Sequence, residues 1–223
     1  MTINHHPDVA TLLSFAAGTL GEALGAVVAS HADVCSACRR ELTRMNMLGG
    51  VMLEASKDRD PKFALSIGPD ALADALNVRE LPFRPKIRPG RVAGTVGMPR
   101  PVTQLIGMPL GDVPWRRMVP GVRHYQIASS RKSPGDLRLL MIEPGRRLPD
   151  HGHRGAELTL VLTGSYVDKI GRFASGDVAD LDTEIEHQPT VDSNQPCICL
   201  VASERKARFK GIIGRLLQPL VGM

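Results

Sequence analysis

Apolar positions recur three and four residues apart over the first third of the chain and two apart over its second half. Between Asp8 and about Asn77, Leu12, Leu13, Phe15, Ala16 and Leu20 form one apolar stripe. After a break at Gly18–Gly21 the spacing resumes through Leu24, Val27, Val28 and His31. It continues through Cys35, Cys38, Leu42, Met45, Leu48 or Gly49, and Met52. Such spacing places apolar side chains on one face of a 3.6-residue helix, so this region predicts a set of helices. The segment "GPDALADAL", with Asp70 close to its amino end, predicts a short fourth one.

The pattern stops at "LPFRPKIRPGRVAGTVGMPRP", where five prolines and three glycines disfavour both helix and central strand. Beyond it, "VRHYQIA", "LRLLMIE", "ELTLVLTGSYV" and "CICLVA" are strand-like, punctuated by Pro-Gly at 120–121, 134–135 and 144–145. The expected fold class is therefore α and β in separate domains. A small all-α domain spans 1–80, a Pro/Gly/basic linker 81–104, and an all-β sandwich or barrel 105–223 with a C-terminal tail. No internal repeat is visible.

Charge changes this picture little. The net charge is +5 over 223 residues, and the stretch from Arg79 to Arg100 has six basic residues and one acid, which gives the same +5. The excess lies in the Pro-rich connector, which reads as a solvated linker rather than a nucleic-acid surface. No apolar run approaches the ~20 residues of a membrane span. No secretory leader is recognisable, and four cysteines in two close pairs do not resemble a secreted disulfide framework. The expected compartment is the cytoplasm.

Two clusters carry the chemistry. In "HADVCSAC", residues 31, 35 and 38 fall at i, i+4 and i+7, within about 60° of one another on a helix. Imidazole and thiolate suit a closed tetrahedral zinc site, and His5-His6 offers a fourth ligand. His31, Cys35, Cys38 and His6 form the preferred set, with His5 the rival. The spacing alone also fits two small cysteines in an ordinary core. The second cluster lies in "GRRLPDHGHRGAELTLVLTG", which satisfies G-x5-H-x-H-x3-E-x6-G from Gly145 to Gly164. His151 and His153 share a strand face, and Glu157 can reach the same ion. Imidazole and carboxylate suit Zn, Fe, Mn or Ni.

That second pattern is the first motif of the cupins. Their second motif, G-x5-P-x-G-x2-H, matches at Gly176 and His187 but has Asp182 and Glu184 where proline and glycine are expected. The N-terminal "H…HADVCSAC" resembles the zinc-binding anti-sigma family. Together the two halves resemble cupin-containing anti-sigma factors of the ChrR kind over essentially the whole chain. The resemblance implies zinc at His6, His31, Cys35 and Cys38 and a cupin metal, zinc first among the choices, at His151, His153, Glu157 and His187. It implies an extracytoplasmic-function sigma factor as partner, with no direct nucleic-acid contact, and release on an oxidative signal such as singlet oxygen.

The alternative is a metal-dependent cupin oxygenase or isomerase with an accessory helical domain. Against an enzyme, no acid–base partner beyond the ligands stands out, so no catalytic residue is assigned. Cys197 and Cys199 share a strand face and are read first as core, second as oxidisable thiols. The methionines of the third helix are read as core or sigma contact, lone His124 as structural, and the basic tail after Glu204 as a closing helix.

Overall fold

A computed structural model describes residues 2–56, 98–128, 135–149, 151–152, 155–181, 187–204 and 208–209. The predicted fourth helix, most of the linker and most of the tail lie outside these residues.

Three of the expected helices form in order: α1 (Val9–Ala16), α2 (Glu22–Val34) and α3 (Ser36–Ser56). Asp8 caps α1, its carboxylate accepting from the Ala10 N–H at 2.7 Å. α1 ends before Gly18, which adopts φ +70°. The α2–α3 junction departs from the single-helix spacing read from the sequence. Cys35 has φ −99° and ψ 106°, an extended residue between two helices. A fourth helix, α4 (Arg100–Ile106), starts after Pro99 and ends at Gly107 in the left-handed conformation. The end of the expected extended linker is thus helical and packs on α2.

The strands are β1 (Arg116–Val119), β2 (Val122–Gln126), β3 (Asp136–Ile142), β4 (His151–Gly152), β5 (Glu157–Thr163) and β6 (Ser165–Asp168). They continue as β7 (Gly171–Ala174), β8 (Val178–Leu181), β9 (Thr190–Val191), β10 (Cys197–Ser203) and β11 (Arg208–Phe209). Six form an antiparallel sheet in the order β1-β2-β3-β10-β5-β8, three a smaller sheet β7-β6-β9, and β11 pairs with β4. Among the described residues the sheets do not join into one closed ladder, but the six-stranded and three-stranded sheets pack face to face around a shared core, as the expected all-β half requires. In the tail, Arg208–Phe209 is strand, not the expected helix.

Alternation along β5 and β10 sends their side chains to two cores. Leu158, Leu160, Leu162, Ile198 and Leu200 join Leu24, Val27 and Val28 of α2 in one apolar cluster. Val161, Cys197 and Cys199 face the other way, with Tyr166, Phe173 and Val191 of the small sheet. The near-continuous apolar run of β5 follows from burial on both faces. The helices therefore form an outer layer whose core is continuous with the large sheet.

The edge strand β8 is covered by the chain before α1. Val178 donates its N–H to the His5 carbonyl (3.2 Å), and the Asp8 N–H reaches an Asp180 carboxylate oxygen at 2.9 Å. This strap hides backbone groups that an open edge would expose.

Candidate metal centres

The first centre is assembled from three elements. The strap delivers His6, the last turns of α2 deliver His31, and the junction and first turn of α3 deliver Cys35 and Cys38. One ligand atom from each residue lies within 4.8 Å of all the others, and among the described residues this is the one His/Cys/Asp/Glu group that converges in this way. His6 Nδ1 is 3.4 Å from His31 Nε2, 3.5 Å from Cys35 Sγ and 3.4 Å from Cys38 Sγ. His31 Nε2 lies 3.2 Å from Cys38 Sγ.

These separations test the fit to an ion. A tetrahedron with Zn–N of ~2.0–2.1 Å and Zn–S of ~2.3 Å has edges of about 3.3–3.8 Å, which the observed 3.2–3.5 Å matches closely. The donor set is equally suitable, two imidazoles and two thiols, with His31, Cys35 and Cys38 buried.

Protonation is consistent with ligation. His31 Nδ1 lies 2.9 Å from the Gly176 carbonyl. A carbonyl can only accept, so the ring proton sits on Nδ1 and the Nε2 lone pair faces the cluster. Burial lowers the His31 pKa, against an opposing push from that same Gly176 hydrogen bond. Burial, then the neighbouring Cys35, pushes the Cys38 thiol up to about 12.

His5 takes a different role from His6. Its ring packs tilted against Phe173, 4.4 Å between centroids, and its Nδ1 lies 3.4 Å from Asp177 Oδ2. Adjacent residues of an extended strap point to opposite sides. His6 accordingly faces the cysteines and His5 faces the small sheet.

Of the second cluster expected from the sequence, the structure describes a part. Glu157 opens β5 and is buried, opposite Leu181 of β8 and Ser203 of β10. His187 is buried too, its Nδ1 3.0 Å from a carboxylate oxygen of Asp168, whose side chain is fully covered. Such a carboxylate fixes a histidine's tautomer and aims its Nε2, the arrangement expected of a metal ligand. His151 is in β4, opposite Phe209. Its side chain, and the whole of His153, lie outside the described residues.

The interior beside this centre contains Tyr166, Cys197 and Cys199. The two sulfurs are 3.6 Å apart on one face of β10, as free thiols. The Cys197 hydrogen bond, followed by burial, raises the Cys199 pKa well above the thiol range. Burial, followed by Cys199 and nearby acids, does the same to the Tyr166 phenol. The Tyr166 hydroxyl is buried and has no hydrogen-bond partner among the described residues. His124 sits between Arg116 of β1 and Leu140 of β3 in the large sheet.

Sequence reasoning passed over Asp168 and Asp177, and took Gly176 only as the opening glycine of the second cupin motif. Asp177 follows that glycine directly, so the signal was present. What it lacked was any indication that this turn meets the N-terminal helices.

Comparison with known proteins gives the following. Residues 103–207 match the family model described as the ChrR cupin-like domain. The chain is 39% identical, over 98% of its length and 98% of the relative's, to the anti-sigma-E factor ChrR of Cereibacter sphaeroides. Among solved structures, it matches a chain from the complex of Rhodobacter sphaeroides SigE with the anti-sigma ChrR. That match has a TM-score of 0.70 and 38% identity, covering 91% of this chain and 100% of that one.

Proposed function

This chain belongs to the ChrR family of anti-sigma factors, and on that premise we propose that it sequesters an extracytoplasmic-function sigma factor through its helical layer. It acts as a regulator and not as an enzyme. The observation that carries this reading is the match along nearly the whole chain to an anti-sigma protein captured with its sigma factor.

The surface of the helical layer supports it. α2 turns its apolar face to the sheet, whereas α1 and α3 keep large apolar side chains in solvent. Val9 and Leu13, one turn apart on α1, are 65% and 53% exposed, and Leu53 on α3 is 63% exposed. Apolar groups left in solvent on neighbouring helices are what a protein-binding face requires.

In this reading zinc is held by His6, His31, Cys35 and Cys38. Structural zinc contributes folding free energy directly, and here it ties the strap, α2 and α3 into the sigma-binding shape. His151, His153, Glu157 and His187 hold a second metal in the cupin half, zinc first and Fe, Mn or Ni as alternatives. That half responds to an oxidant, singlet oxygen being the signal the family suggests, and biases the equilibrium toward release. The working compartment is the cytoplasm, where sigma factors meet polymerase.

The test is co-purification of the tagged full chain with each extracytoplasmic-function sigma factor of its host, with Cys35→Ala beside it. A one-to-one complex that Cys35→Ala abolishes supports the proposal. Failure with every such sigma factor contradicts it.

A further inference from the structure

The first centre is not built by the helices alone. Two of its four ligands are positioned by one turn of the cupin half, at Gly176 and Asp177. Gly176, at φ +94°, points its carbonyl at His31 Nδ1 from 2.9 Å. Asp177 is 1% exposed and grips the strap just before His6. Its Oδ1 accepts the Asn4 N–H at 2.7 Å and the His5 N–H at 3.1 Å. Its Oδ2 accepts the Ala174 N–H at 2.9 Å and lies 3.4 Å from His5 Nδ1.

A buried carboxylate with several backbone donors is a rigid anchor. Releasing it frees residues 4 and 5 and, with them, His6. Losing the Gly176 carbonyl contact frees the His31 ring to rotate and to change tautomer. The two contacts are adjacent in sequence, so a single displacement of the turn disturbs both ligands together.

We propose that the helical metal centre is a composite site, with Asp177 and Gly176 of the cupin half as its positioning residues. Metal affinity at the cysteine-containing centre then depends on the state of the cupin turn. By linkage, metal bound there tightens the strap on β8 by the same factor. The inference rests on reading His6, His31, Cys35 and Cys38 as a metal centre. It would give the cupin half a direct hold on the helical layer without any contact to the sigma factor.

The test uses the full chain and Co²⁺, because the thiolate-to-cobalt absorption band reports a cysteine-bound ion and not an ion held by histidine and glutamate. Apparent dissociation constants are read from that band for the parent, Asp177→Ala, Asn4→Pro and Asp192→Asn. Asn4→Pro removes one donor to Asp177 while leaving every cupin residue in place, and decides the matter if Asp177→Ala fails to fold. Asp192→Asn is the control, breaking a network in which the carboxylate accepts from Ser165 and Arg172 of the cupin half and from no strap residue.

Outer partners of metal ligands are worth about 10–100-fold in affinity. Asp177→Ala is therefore expected to weaken Co²⁺ binding at least ~10-fold, with Asn4→Pro in the same direction and the control close to parent. Slower amide exchange at Asn4, His5 and Val178 on adding Co²⁺ is expected as well. A parent-like constant in Asn4→Pro and in any folded Asp177→Ala overturns the composite site. Absence of the thiolate band in the parent overturns the metal reading beneath it.

Discussion

Cys38 and His31 set the chemistry of the first centre through their protons. Burial and Cys35 hold Cys38 protonated up to about 12, while burial lowers His31 and leaves it neutral near neutrality. Metal uptake must then displace the Cys38 proton and none from His31. Affinity should rise by at least about tenfold per pH unit between pH 6 and 8. Metal titrations at several pH values check this, and a flat profile would contradict thiolate ligation. Asp177 has the opposite sign. Burial alone would raise its pKa, but hydrogen bonds from Ala174, Asn4 and His5 outweigh burial and lower it. A lowered carboxyl stabilises the fold above its unfolded pKa, near 3.9, and loses that contribution as pH falls through the lower folded value. Asp177→Asn should melt below the parent at pH 7, and the gap should narrow in acid below about pH 4. Residue types and spacings made the convergence of His31, Cys35 and Cys38 legible in sequence, because the three fall within one short segment. Asp177 was not legible: its partners Asn4 and His5 lie more than 170 residues away, and nothing local announces the meeting.

Elements differ in how fully their patterns announced them. The 3-and-4 spacing predicted α1, α2 and α3 because each buries one stripe. It overran the α2–α3 junction because Cys35 and Cys38 fit a continuing helix as well as a break. The extended backbone at Cys35 is visible only with tertiary structure in hand. Alternation predicted β5 and β10, and the Pro-Gly pairs marked turns. The closing helix expected in the tail failed at Arg208–Phe209, since basic and apolar spacing cannot exclude pairing with a distant strand. Two substitutions test the elements as described. Leu160, fully buried between β5 and α2, should cost about 2–5 kcal/mol as Leu160→Ala in denaturant unfolding. Gly164 sits at φ +72°, and a Cβ there would lie 2.8 Å from Ser193 Oγ and 2.9 Å from Cys197 Cα. Gly164→Ala should therefore lose at least about 1–2 kcal/mol from the left-handed backbone, before the clash is counted.

At the scale of the molecule, the helical layer and the cupin sheet share one apolar core and one metal-positioning turn. The sequence places a boundary at the Pro-rich segment but carries no signal of which surfaces of the two halves meet, because composition shows where a chain can be flexible and not what it later packs against. Exposed Val9 and Leu13 remain on the side of the helical layer away from that shared core. Leu13→Asp should weaken sigma binding at least about tenfold, as loss of an interface anchor does, while the melting temperature stays near parent. A matching fall in stability would instead place Leu13 in the fold. The most direct measurement is transcription from a promoter that depends on the bound sigma factor, with purified polymerase and sigma titrated by the metal-loaded full chain. Initiation is expected to fall to background at one equivalent of chain per sigma, and Cys35→Ala is expected not to inhibit. Undiminished transcription at excess chain, with sigma free in solution, would contradict it.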